Sequence, residues 1–166
     1  ELLDKDKDDD SLNRYKEQLL GAGAAAAPFP DNPNTVIIDS MALCFTDHPE
    51  IPINPNDPNS KDHPYILKEG VQFNLKVRFY VQRSIVSGLR YRSRISKLGF
   101  PVDSVNEVIG SYPPKEEIVE VTLPPDHAPT GMISRGRYTA VNRFVDDDKV
   151  EHLRFETSFE IKKDWQ

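Results

Sequence analysis

The sequence predicts an all-β fold, an immunoglobulin-like antiparallel β-sandwich, preceded by a flexible N-terminal arm that holds one short amphipathic helix. Three observations carry this. From Thr35 onward apolar and polar residues alternate with period two, the signature of strands with one buried face. All 14 prolines lie between residues 28 and 64 or between 101 and 129, so 65–100 and 130–166 are free to form unbroken hydrogen-bonded ladders. A helical period occurs only near the N-terminus. Seven or more alternating segments with no second helix between them bury their apolar faces best as two facing antiparallel sheets, with a barrel as the alternative. A chain of 166 residues suits one such domain; residues 1–34 are assigned to the arm and 35–166 to the sandwich.

Residues 1–10 hold six acids (Glu1, Asp4, Asp6, Asp8, Asp9, Asp10) and two lysines (Lys5, Lys7), which is −4 of the −6 carried by the whole chain. Such a run buries too little apolar surface to order itself. Beside it, Asp10 or Ser11 can cap a helix whose Leu12, Tyr15 and Leu19 share a face and which Gly21 ends. At about ten residues this helix is marginal alone in water, so its apolar stripe needs a surface on this chain or another. Residues 22–34, small side chains followed by proline turns, read as a linker. The clearest strand is 71–81, with Val71, Phe73, Leu75, Val77, Phe79 and Val81 on its inner face. The second clearest closes the chain, with Leu153, Phe155, Thr157, Phe159 and Ile161 inward. Weaker alternation places strands at 35–45, 89–98, 102–112, 116–123 and 136–145, bounded by Pro, Gly or Asp clusters.

Composition excludes several functions. A net charge of −6 is a poor basis for holding nucleic acid and favours a basic partner. No apolar run approaches the roughly 20 residues of a membrane span, and the acidic N-terminus lacks the pattern of a secretion signal. The chain starts at Glu1, which reads as a processed or trimmed form with sequence upstream. One cysteine, Cys44, cannot form an internal disulfide, and no Asn-x-Ser/Thr acceptor occurs, so the cytosol is the expected compartment. Enzyme signatures are wanting. His48, His63, His127 and His152 are dispersed, which argues against a metal site, and Cys44 alternates with apolar neighbours as a packed small hydrophobe would. Gly70, Gly88, Gly99 and Gly110 read as turn residues between strands rather than a phosphate-binding loop, and the acids 146–148 as a solvated turn. No catalytic residue, cofactor or metal is assigned.

Five segments carry a resemblance that runs nearly end to end: DKDDDSLNRYKEQLLG (6–21), LKEGVQFNLKVRFYVQRSIVSGLRY (67–91), GSYPP (110–114), APTGMISRGRY (128–138) and DDDKVEHLRFE…IKKDW (146–165). In order and spacing they resemble the Rho GDP-dissociation inhibitors. The resemblance implies a non-catalytic protein, monomeric when free, that binds prenylated, GDP-bound Rho-type GTPases, slows GDP release and removes them from membranes without inserting stably itself. It implies that Asp9, Leu12 and Tyr15 contact the GTPase switch regions, and that Tyr65, Phe73, Ile85, Ile133 and Phe155 line a pocket for a geranylgeranyl group between the sheets. Phe73 and Phe155 also face inward by period alone. Acids at Asp126, Asp147 and Asp148 would meet the basic C-terminal tail of the GTPase.

Some positions depart from the family pattern. Thr157 and Ala140 stand where larger residues line the pocket in other members, which implies a wider cavity or neighbours that move in to fill it. His127 replaces an acid near the pocket mouth and would weaken attraction to the tail, more so below about pH 6.5. Arg137 replaces a phosphorylatable serine. The competing reading is a prenyl- or acyl-binding carrier of lipidated proteins with no control of a nucleotide switch, against which the helix in the arm argues; a small sugar-active hydrolase would need two converging acids, and no such spacing occurs.

Overall fold

The computed structural model describes residues 27–166. The helix expected at 10–21, and with it Asp9, Leu12 and Tyr15, lies outside the described residues. Ten strands form two sheets. The first sheet comprises β1 (Val36–Cys44), β2 (Ile51–Ile53), β4 (Gln72–Val81), β7 (Val119–Thr122) and β8 (Asp126–His127), in the order β2-β1-β4-β7, with β8 pairing beside β7 on β4. The second comprises β3 (Tyr65–Lys68), β5 (Val86–Lys97), β6 (Phe100–Tyr112), β9 (Gly136–Val145) and β10 (Glu151–Lys162), in the order β3-β10-β9-β5-β6. All pairs are antiparallel except β3 with β10, which run parallel. A parallel edge pair needs a long crossover, here supplied by the chain from β3 around the whole sandwich.

Period-two patterning explains the core. Leu75, Val77, Phe79 and Val81 of β4 are buried, as are Phe155, Thr157, Phe159 and Ile161 of β10. Ser158, on the opposite face of β10, is also buried, because a 3-10 turn at Ser60–Asp62 covers it and Ser158 donates a hydrogen bond to the Lys61 carbonyl. Pro52 and Pro101 do sit in strands, but β2 and β6 are sheet edges, where a missing N–H costs no ladder bond. Two glycines differ from expectation. Gly70 and Gly99 lie at turns, whereas Gly88 and Gly110 lie inside β5 and β6, where the pairing register shifts. Gly88 has φ of +60°, and a Cβ there would meet the Asp147 carboxylate, which would have to move aside, so this bulge favours glycine.

Residues 27–34 form no regular element, yet they are fastened. The fully buried Gln82 accepts from the Phe29 N–H and donates to the carbonyls of Asn32 and Asn34, while Arg83 donates to those of Pro30 and Asn32. Phe29 meets Tyr80 edge-on at 4.9 Å between ring centres. The stretch read as a linker therefore docks on the sandwich at its described end. Cys44 differs too: it is half-buried at the end of β1, outside the core, and its thiol faces Glu50 at 3.5 Å. Burial first, and then the Glu50 carboxylate, raise its pKa, which disfavours the nucleophilic thiolate.

Candidate functional site

Between the sheets, at the end where β4 begins, a cavity of about 110 Å³ remains open. The first sheet lines it with Met41, Leu43, Ile53, Phe73, Leu75 and Leu123, all apolar. The second sheet contributes a mixed wall: Tyr65 and Leu67 from β3, Tyr91, Ser93 and Ile95 from β5, Ala140 and Asn142 from β9, and Phe155, Thr157 and Phe159 from β10. At the edge strands, Val105 and Glu107 of β6 stand on one side, and Pro124 and Asp126 on the other. Glu107 and Asp126 are the two carboxylates of the lining, and both belong to this edge.

The polar part of the wall is a hydrogen-bonded unit. Asn142 Oδ1 accepts from the Tyr91 hydroxyl at 2.7 Å and from Ser93 Oγ at 2.9 Å, and its Nδ2 donates to Thr157 Oγ1 at 3.0 Å. Ser93, Asn142 and Thr157 are buried, so these bonds offset the cost of placing amide and hydroxyl groups inside. Burial pushes the Tyr91 phenol up to about 12, opposed by the neighbouring Ser93 hydroxyl. The Tyr65 phenol rises as well, through burial and the proximity of Tyr91, and its hydroxyl bonds to no described residue. Tyr65, Phe159 and Tyr138 stack in series, at 5.5 Å and 5.1 Å between centres.

Tyr65, Phe73 and Phe155 of the expected pocket converge on this cavity. Ile85 and Ile133 do not: Ile85 is exposed in the link between β4 and β5, and Ile133, 93% exposed, lies in a 3-10 turn at Met132–Ser134. Ala140 and Thr157, the two departures, are direct neighbours in the register of β9 and β10, and both reach the cavity. The three acids divide between two places. Asp126 pairs with Phe73 at the start of β4, whereas Asp147 and Asp148 are exposed in the β9–β10 turn, where the Asp147 N–H donates to Ser87 at the start of β5, beyond the far end of β4. His127 is exposed opposite Gln72.

In the same turn Asp146 is organised from several sides. It accepts from the N–H groups of Asp148 and Val150 and lies 2.8 Å from His152 Nε2, with both side chains nearly inaccessible. Desolvation works against its ionised form, but the hydrogen bonds from Val150 and His152 outweigh that and hold its pKa below the ordinary value. Sequence reading missed Asn142, Ser93 and Glu107. The signal for Asn142 was present: Tyr138, Ala140, Asn142 and Phe144 alternate on the buried face of β9, and an amide in that row needs internal partners.

A family profile described as RHO protein GDP dissociation inhibitor matches residues 1–164. Rho GDP-dissociation inhibitor 1 of Homo sapiens is 40% identical over 169 residues, covering 100% of this chain and 82% of the relative. Rho GDP-dissociation inhibitor 1 of Arabidopsis thaliana is 40% identical over 166 residues, covering 99% and 69%, and the Rho GDP-dissociation inhibitor of Schizosaccharomyces pombe is 38% identical over 170 residues, covering 100% and 82%. With a match of this extent over both the arm and the sandwich, the chain belongs to the Rho GDP-dissociation inhibitor family.

Proposed function

We propose that this chain binds prenylated Rho-type GTPases in their GDP form, slows GDP release through its N-terminal arm, and extracts them from membranes by burying the prenyl group between its sheets. The observation that carries the lipid part is the cavity: an apolar space ringed by Tyr65, Phe73 and Phe155 in an otherwise close-packed core. At about 110 Å³ it is smaller than the roughly 300–1,000 Å³ of sites that enclose a ligand, so the sheets part or side chains turn when a lipid enters. Burying a 20-carbon chain from water releases roughly 0.8 kcal/mol per CH2, on the order of ten kcal/mol in gross terms. A bilayer offers almost the same, so extraction depends on added contacts to the GTPase.

Those contacts fall to the arm, with Asp9, Leu12 and Tyr15 on the switch regions, and to acids facing the basic tail. Asp126 serves at the cavity edge, where Glu107 doubles the negative charge, and Asp147 and Asp148 serve further along. Ile85 and Ile133 enter as contacts outside the cavity, where their exposure leaves apolar surface for the partner. Nothing is catalysed; the protein acts by binding in a reducing, cytosolic setting.

Two experiments test the two halves. Phe73→Asp places a carboxylate against the lipid and removes an aromatic contact, so affinity for a geranylgeranylated peptide falls by at least about 2 kcal/mol while binding of unprenylated GTPase changes little. Phe73→Ala is the companion, and cooperative melting of both is checked before binding is interpreted. Undiminished extraction of prenylated GTPase from liposomes by the folded variants would place the lipid elsewhere. Removing residues 1–20 abolishes the slowing of GDP release and leaves prenyl-peptide affinity measurable; equal loss of both would contradict the division of labour.

A further inference from the structure

The outer face of the second sheet has a charge pattern opposite to that of the chain. Arg90, Arg92 and Arg94 alternate along β5 with the inward Leu89, Tyr91, Ser93 and Ile95, so all three guanidinium groups leave on the solvent side. Register then sets them against more of their kind. Arg92 lies directly opposite Arg143 of β9, and Arg143 lies directly opposite Arg154 of β10. With Arg137, six arginines share this face against three glutamates of β10, Glu151, Glu156 and Glu160. Two of these acids are already engaged, Glu151 with Arg143 at 3.7 Å and Glu156 with Lys61 at 3.4 Å. Arg90, Arg92, Arg94 and Arg154 form no ion pair with a described residue.

Like charges directly opposite each other on a sheet destabilise it, so a row Arg92–Arg143–Arg154 is sustained against a folding cost that an external anion relieves. Arg90 to Arg94 spans roughly 13 Å along β5, and β5 to β10 roughly 10 Å across, from strand rise and spacing. Guanidinium groups spread over three adjacent strands suit many separate anions better than a single phosphate, which needs converging donors. Single-stranded nucleic acid would want stacking side chains, and the neighbours on this face, Ser104, Asn106, Val108, Thr139, Val141 and Val145, include no aromatic ring.

The end of the β5–β6 hairpin supplies a second, independent anomaly. Leu98 and Gly99 form its two-residue turn with φ of +54° and +83°, a conformation that favours Asn or Gly and disfavours leucine. Leu98 is 88% exposed and Phe100, next after the glycine, is 72% exposed. Leucine thus occupies a strained position where its side chain packs against nothing in the described chain. A basic sheet face ending in a projecting apolar tip has the two components of a peripheral membrane contact, attraction to anionic headgroups and shallow insertion of apolar side chains.

We propose that the outer face of the β3-β10-β9-β5-β6 sheet, with the β5–β6 tip, docks on an anionic lipid bilayer. This goes beyond the lipid cavity: it needs neither prenyl group nor GTPase, so it is tested without them and its failure would leave the prenyl reading untouched. The full chain is floated with vesicles of phosphatidylcholine alone or mixed with phosphatidylserine. Binding to the mixed vesicles, weakened by salt and absent with pure phosphatidylcholine, is expected. Arg92→Gln with Arg154→Gln should lower the partition coefficient about 20-fold or more, since each arginine near an anionic surface accounts for roughly a fivefold change. Leu98→Ser with Phe100→Ser should lower it severalfold and leave the salt dependence in place. Unchanged melting temperatures keep these comparisons valid; the arginine variant removes repulsion, and the tip variant changes only exposed side chains. Equal binding to both vesicle types, or full binding by the arginine variant, would overturn the proposal. So would displacement of the protein from vesicles by inorganic phosphate at constant ionic strength, which would mark a discrete phosphate site. Vesicle binding that emerges only when Asp6, Asp8 and Asp10 are changed to Asn would assign the face to the acidic arm and overturn it equally.

Discussion

The two ends of the sandwich interior are built from the same residue types and packed differently. Where β4 ends and β5 begins, Val36, Phe79, Val81, Val86, Leu89 and Phe144 are 0–1% exposed. Where β4 begins, Phe73, Ile95 and Val105 are only partly buried, and the cavity lies among them. Close packing gives the first end its share of stability; the second forgoes dispersion contacts that a tight core would have. The difference teaches that this domain concentrates its close packing at one end of β4 and leaves its interior looser at the other, where the prenyl site is proposed.

Large-to-small substitution along β4 is the strongest way to break that comparison. Phe79→Ala empties a closed site that cannot collapse and should cost about 3–5 kcal/mol in chemical denaturation. Phe73→Ala removes the same atoms three pleat repeats away from that site, beside a space already open, and should cost less than about 2 kcal/mol. Equal losses would mean that the cavity end contributes to stability as fully as the packed end.

That division could be read from the sequence only in part. The strand at 136–145 is found where alternation puts it, and those at 72–81 and 151–162 within one residue, because long half-buried strands write their period plainly. The strands β2, β3 and β8 have three, four and two residues, too few for a period, and they are held by partners distant in sequence. The parallel pairing of β3 with β10 follows from those contacts and from no local signal. In the site, inward alternation was enough for Phe73 and Phe155. It could say nothing about the exposure of Ile85 and Ile133, or about the distance between Asp126 and Asp147, because these depend on which ends of which strands meet.

A pH test sharpens the picture at the packed end, where the β9–β10 turn closes over Ser87. The Asp146 carboxylate has a pKa depressed below the ordinary value of about 3.9, so it binds a proton less readily folded than unfolded. Its stabilising effect is therefore present above about pH 4 and is lost as pH falls through the folded value. Asp146→Asn should be less stable by about 2 kcal/mol near neutrality, and the two stability curves should converge as pH falls through the folded value. Curves that stay parallel throughout would show that the shape of the turn matters and the charge does not.

The smallest effect, and the one most specific to the cavity end, belongs to Thr157. Its Oγ1 accepts from Asn142 Nδ2, while its own hydroxyl hydrogen is donated to no described residue. In an empty cavity water can take that hydrogen; once a hydrocarbon fills the space it cannot, and the bare donor opposes binding. Thr157→Val keeps the shape, removes the donor and deprives Asn142 of one acceptor, although the Phe155 carbonyl at 3.4 Å remains within its reach. Stability should fall by less than about 1 kcal/mol, and affinity for a prenylated peptide should rise two- to fivefold, so the two quantities move in opposite directions. At the packed end the same kind of substitution should lower stability with no gain in prenyl affinity, because the lipid is proposed to lie at the other end. Titration of a geranylgeranylated peptide beside thermal melting reads both, and a fall in affinity would mean that the hydroxyl contacts the ligand side favourably, making the polar wall of this cavity part of its recognition of lipid rather than a cost imposed on it.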